Sequence, residues 1–150
     1  MKTAIASLLL SIGYFCCFGQ SKDLLNKNVI KNVVFVNVYK IDRTSKDCHD
    51  QKNPDLFTNG VINTCFRFKK TLSKESVRRL LEVLSNNRSF IRADSNCFTS
   101  DYGMIFLDNS KRMIGHITTS TSCNNLAINN NSLKAFTSKA NAQVLRELSM

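Results

Sequence analysis

The chain has 150 residues, six of them cysteine, with 43% apolar residues and a formal charge of +10. That length holds one domain with a sizeable core, and the apolar content is that of an ordinary globular protein. The positive charge directs attention to anionic partners such as nucleic acid, anionic lipid, acidic glycans or acidic proteins, although the basic residues are scattered, as on a merely solubilising surface.

Residues 1–19 read as an export signal. Lys2 is the positive start, and Ala4 to Phe18 is an apolar run too short to span a bilayer comfortably. Cleavage after Cys17-Phe18-Gly19 leaves Gln20 as the new N-terminus of a single domain, 20–150. The competing reading is a lipoprotein acylated at Cys16 or Cys17. It is the weaker one, because Phe15 and Cys16 stand where a small residue normally precedes the lipidated cysteine. Export to the periplasm or the extracellular space leaves Cys48, Cys65, Cys97 and Cys123, an even set that implies two disulfides in one of three connectivities. Sequence alone does not choose among them. The expected pairing is Cys48–Cys65 with Cys97–Cys123, since each pair spans one hairpin. No metal site is expected, because there is no Cys-x-x-Cys and neither histidine stands at ligand spacing from a cysteine.

After a polar stretch at 20–28, Val29 to Ile41 is a strand candidate rich in β-branched residues. Arg43 to Asn59 is a long polar connection that contains Pro54, the single proline, and is tethered by Cys48. Connections of that length in compact domains are often functional or mobile. Gly60 to Lys70 reads as a second strand. Ser73 to Asn86 is the clearest helix. Ser73 is its N-cap, Leu72 and Val77 its hydrophobic staple, Val77, Leu80, Leu81 and Leu84 its buried stripe, and Asn86-Asn87 a left-handed stop. Ser89 to Ile91 is a short strand. A hairpin then runs from Cys97 to Cys123. A three-residue turn at Asn109-Ser110-Lys111 sets Asp108 opposite Arg112, and the same register sets Cys97 opposite Cys123. Met104 to Leu107 is apolar on both faces, as in a central strand. The second arm alternates, with His116 on a wet face. Thr118 to Asn131 reads as a polar loop, and Ser132 caps a second helix, Leu133 to Leu148. The order β-β-α-(β)-β-β-α predicts an α+β fold, an antiparallel sheet of four to five strands with two helices on one face.

The chemistry in the chain is sparse. His49 and His116 are the only histidines, and with Lys69 or Lys40 as a cation they could serve a basic, nuclease-like hydrolase. Composition alone carries that likeness to secreted ribonucleases. The aspartates mostly mark turns, and no phosphate loop, serine elbow or His-Glu-x-x-His pattern is present, so no cofactor is expected. Phe66, Arg67, Phe68, Lys69 and Lys70 form a basic-aromatic stretch. Such a stretch can stack on single-stranded nucleic acid, but an amphipathic strand is the commoner origin. The leading expectation is a non-enzymatic exported module that binds a protein or another macromolecule, anionic if charge selects it. Nucleic acid is the less favoured partner, and membrane attachment is expected only with lipidation. A hydrolase and a structural envelope-associated protein are the alternatives.

From Leu72 to Asn124 the chain resembles a group of small, mostly uncharacterised exported bacterial proteins. The resemblance rests on Leu80-Leu81 through Asn86, Cys97-Phe98, Ile105-Phe106-Leu107-Asp108 and Cys123-Asn124. In that group Cys-Phe is often followed by Pro and His, and an extra Cys lies three residues before the last. Thr99-Ser100-Asp101 and Ser120 stand there instead, which removes the potential ligands and implies a structural cysteine pair. The group brings no established activity with it.

Overall fold

The computed structural model describes residues 27–51, 53–93, 96–128, 132–136 and 139–150. The expected export signal at 1–19 lies outside the described residues. In chain order the elements are α1 (Lys27–Ile30), β1 (Phe35–Ile41), α2 (Lys46–His49), β2 (Phe57–Thr58), β3 (Val61–Ile62), β4 (Phe66–Thr71), α3 (Lys74–Ser85), a 3-10 turn (Asn87–Ser89), β5 (Phe90–Arg92), β6 (Tyr102–Leu107), β7 (Met113–Ser120), β8 (Asn125–Ile128), β9 (Ser132–Phe136) and α4 (Lys139–Ser149). The class is α+β, as expected. One antiparallel sheet has the order β4-β1-β6-β7-β8-β9-β5, and β2 pairs with β3 in a separate hairpin. The sheet therefore has seven strands, more than the four or five expected, because two stretches that read otherwise are strands. The polar segment after Cys123 carries β8, and the first turn of the expected second helix is β9, so the described part of that helix is Lys139–Ser149. Ser132–Phe136 has ladder partners on both sides, β8 and β5, and this tertiary pairing overrides a helical spacing.

Alternation along the strands sorts the side chains onto two faces. Val36, Val38, Met104, Phe106, Ile117 and Leu126 point to one face, where Val77, Leu80 and Leu84 of α3 and Ala142, Leu145 and Leu148 of α4 cover them in one core. Val29, Ile30 and Val33 join this core from α1 and the turn after it, so the first strand starts later than the Val29 expected. Ile41, Phe66 and Ile105 point to the other face and pack with Leu56.

Helix α3 follows the sequence closely. The Ser76 amide donates to Ser73 Oγ (3.2 Å), and Leu72 and Val77 are both buried. Its end differs from the expected left-handed stop. Asn86 is extended (φ −92°, ψ 102°), and its side chain accepts from the Arg88 amide (3.0 Å), so one residue ends the helix and caps the 3-10 turn.

The β6–β7 hairpin has the expected three-residue turn, with Lys111 left-handed (φ 59°) and the Asp108 amide donating to the Arg112 carbonyl (3.0 Å). Asp108 Oδ1 accepts from the amides of Ser110 (2.8 Å) and Arg112 (2.9 Å). The Arg112 amide, then the Arg112 guanidinium, holds this carboxyl below its ordinary pKa. Beyond the turn the register slips. Leu107 faces Met113 but Phe106 faces Gly115, so the pairing shifts by one and Cys97 is not brought opposite Cys123 by an unbroken ladder. Cys97–Cys123 is nevertheless bonded, with a Cα–Cα separation of 5.7 Å. It joins the segment before β6 to the Thr121–Asn124 turn, where Asn125 Nδ2 also donates to the Cys97 carbonyl (2.7 Å). Cys48–Cys65 is the second bond. Two disulfides are the chemistry of an oxidising, exported environment. No helix among the described residues is long and apolar enough to cross a membrane.

Candidate binding surface at the β4 edge

The segment from Arg43 to Cys65 is a lid over the second face of the sheet, not an open polar loop. The expected strand at Gly60 to Lys70 is split. Val61–Ile62 closes the lid hairpin and Phe66–Thr71 joins the sheet. Asn59 (φ 52°) and Gly60 (φ 79°) make the tight turn, both in the left-handed region that a two-residue hairpin favours. Leu56 is fully buried and sits over Gly103, where an added Cβ would lie 2.5 Å from Leu56 Cδ1. Arg43 fixes the lid base, donating to the carbonyls of Gln51 (2.9 Å) and Ser100 (2.9 Å). Cys48–Cys65 staples the two ends.

Strand β4 emerges from under this lid and forms one edge of the sheet, and among the described residues it is bonded only to β1 within it. The Asp42 amide donates to the Cys65 carbonyl (2.8 Å), which makes Asp42 and Cys65 a hydrogen-bonded pair. Antiparallel alternation then bonds Lys40 with Arg67 and turns the backbone groups of Phe66 and Phe68 outward. The Phe66 amide confirms this direction by donating to the Asn63 carbonyl (2.9 Å). At the far end, the Leu72 amide donates to the Val36 carbonyl (2.9 Å), so Thr71 also turns its backbone outward.

The side chains of β4 divide by charge. Phe66 and Phe68 lie on the lid side with Ile41 and Tyr39. Phe66 is buried, whereas Phe68 is 59% exposed and meets Tyr39 edge-on with ring centroids 5.7 Å apart. Arg67 lies on the helix side opposite Lys40. The register shift at Val38 and Tyr39 leaves Lys69 as the extra residue of a bulge, and Lys70 faces Val38. Lys69 Nζ stands 5.5 Å from the Tyr102 ring centre, which places it on the helix side as well. Four cations, Lys40, Arg67, Lys69 and Lys70, therefore share one side of the free edge. Arg67 is 3.6 Å from Asp42 Oδ2, a weak exposed pair. The Asp42 carboxyl is held below its ordinary pKa first by the Thr44 hydroxyl and amide and then by Arg67. Among the described residues, Lys40, Lys69 and Lys70 make no ion pair.

The residues of the alternative hydrolytic reading do not come together. His49 is exposed on α2 beside Asp50 (Nδ1 to Oδ1 3.1 Å). His116 is on the lid side of the sheet and buried, its ring 4.9 Å from that of Phe57. The expected wet face of β7 is thus a covered one, because Phe57 of the lid lies on it. Lys69 is on the opposite side of the sheet from His116. The buried Thr118 Oγ1, two residues along β7, has no hydrogen-bond partner among the described residues. Among the described residues no three His, Cys, Asp or Glu side chains gather as a metal site would require. Comparison with protein-family models, with curated proteins and with solved structures finds no match.

Proposed function

We propose that this chain is an exported, non-enzymatic module that binds an anionic macromolecule through the β4 edge. The observation that carries this reading is the grouping of Lys40, Arg67, Lys69 and Lys70 on one side of a free strand edge, with Phe68 exposed on the other. Aromatic and arginine side chains supply most of the energy at protein interfaces, and a local excess of one charge speeds encounter with the opposite one. The test separates this patch from overall charge. Arg67→Glu with Lys70→Glu should weaken binding to immobilised polyglutamate by about tenfold or more at physiological salt, as expected for losing two charge contacts. Lys31→Glu with Lys111→Glu makes the same change in net charge at two exposed sites and should have little effect. Equal losses in the two variants would reduce the interaction to net charge and end the proposal.

Export is part of the same reading, supported by the apolar start of the chain and by the two disulfides. The mature protein should begin at Gln20 and carry no acyl chain in intact-mass spectrometry. Acylation of Cys16 or Cys17 would place the module on a membrane surface instead.

A further inference from the structure

We infer that the anionic partner is an extended acidic protein segment that adds to β4 as an eighth strand, antiparallel like every other pair in the sheet. This inference rests on the β4-edge reading above and specifies its partner. The outward carbonyls of Phe66 and Phe68 and the outward amides of Phe68 and Thr71 offer main-chain hydrogen bonds, which is how sheet-edge recognition gains affinity. The alternation of β4 sets the partner's pattern. A residue opposite Phe68 shares the aromatic side of the edge and is apolar. Its neighbours in sequence fall on the side of Arg67, Lys69 and Lys70 and are acidic.

A second copy of this chain is disfavoured as the occupant, because pairing β4 with β4 sets cation against cation. The bulge at Lys69 and the lysines themselves are the usual guards of an edge against self-pairing, and they select for an oppositely charged strand. The opposite edge of the sheet, β5, is only three residues long and offers less ladder.

An eight-residue peptide of alternating glutamate and valine is the probe, with a block-ordered peptide of the same composition as control. Binding by the alternating peptide, about tenfold tighter than by the block peptide, is expected from the ladder it alone can complete. Methylating its valine amides, which face β4 in antiparallel pairing, should abolish binding. Methylating its glutamate amides should change it by less than about twofold, because those groups face solvent. The amide protons of Phe68 and Thr71 should gain exchange protection in the complex. Equal binding of the two peptides, equal effects of the two methylations, or no peptide binding at millimolar concentration would each overturn strand addition. The polyglutamate comparison above would then still decide the β4-edge reading by itself. Single-stranded DNA outcompeting the peptide, or a dimer lost on Phe68→Ala, would overturn it in favour of those occupants.

Discussion

Phe106→Ala should cost about 3–5 kcal/mol of stability, the range for truncating a large buried aromatic side chain. Phe106 is fully buried at the centre of the helix-covered face, on a strand flanked by β1 and β7. It lies opposite Val36 on one side and Gly115 on the other, so the residues directly facing it across the ladder are too small to fill the space its ring leaves. A small domain holds only about 5–15 kcal/mol in total, so this change consumes much of the reserve. Urea unfolding should show the midpoint falling with little change in slope. Phe106→Leu should fall between the two proteins. A loss below about 1 kcal/mol for the alanine variant would mean that the helix-side core is not organised around this residue.

Replacing Cys48 and Cys65 together by alanine should cost about 3 kcal/mol, from the chain-entropy relation for a loop of this length. The sequence separation is 17 residues, and both sulfurs are buried, so the bond lies inside the lid and not on its surface. The damage should be concentrated there. Limited proteolysis between His49 and Asn63 should accelerate, while the β6–β7 turn, held by the Asp108 carboxylate, stays resistant. An unchanged unfolding midpoint together with unchanged cleavage would show that Leu56, Pro54 and Phe57 hold the lid without the bond.

The sequence was most legible where short-range chemistry decides. Ser73 caps α3 as its position implies, the stripe Val77, Leu80 and Leu84 is buried, and Met104 to Leu107, apolar on both faces, lies well inside the sheet. Both cysteine pairs are those that the hairpin reading favours, although a bulge near Ile114 breaks the register that suggested one of them. Legibility failed where a few side chains outweigh their surroundings. Arg43 to Asn59 is polar in composition, yet Leu56 and Phe57, with the Cys48–Cys65 bond, seat it on the sheet, and Phe57 lies against the buried His116. Asn59-Gly60, a two-residue hairpin signal, was the available clue. The β4 stretch was recognisable as basic and aromatic, but its place at an edge was not. That place depends on β1 pairing with β6 across about 60 intervening residues, a choice no local pattern reveals.

The sheet order has a consequence for α3. Strands β4 and β5 follow one another in the chain but stand at opposite edges, so α3 and its 3-10 turn must cross the whole covered face. Six inter-strand steps of about 4.8 Å separate those edges by roughly 29 Å. The 12 helical residues, at about 1.5 Å each, supply roughly 18 Å of that distance, and the residues on either side supply the rest. The length of α3 is thus matched to the width of the sheet, as a crossbeam is matched to the span it bridges. Its Arg79 also meets Glu147 of α4 at 3.2 Å, which ties the beam to the second helix part-way along.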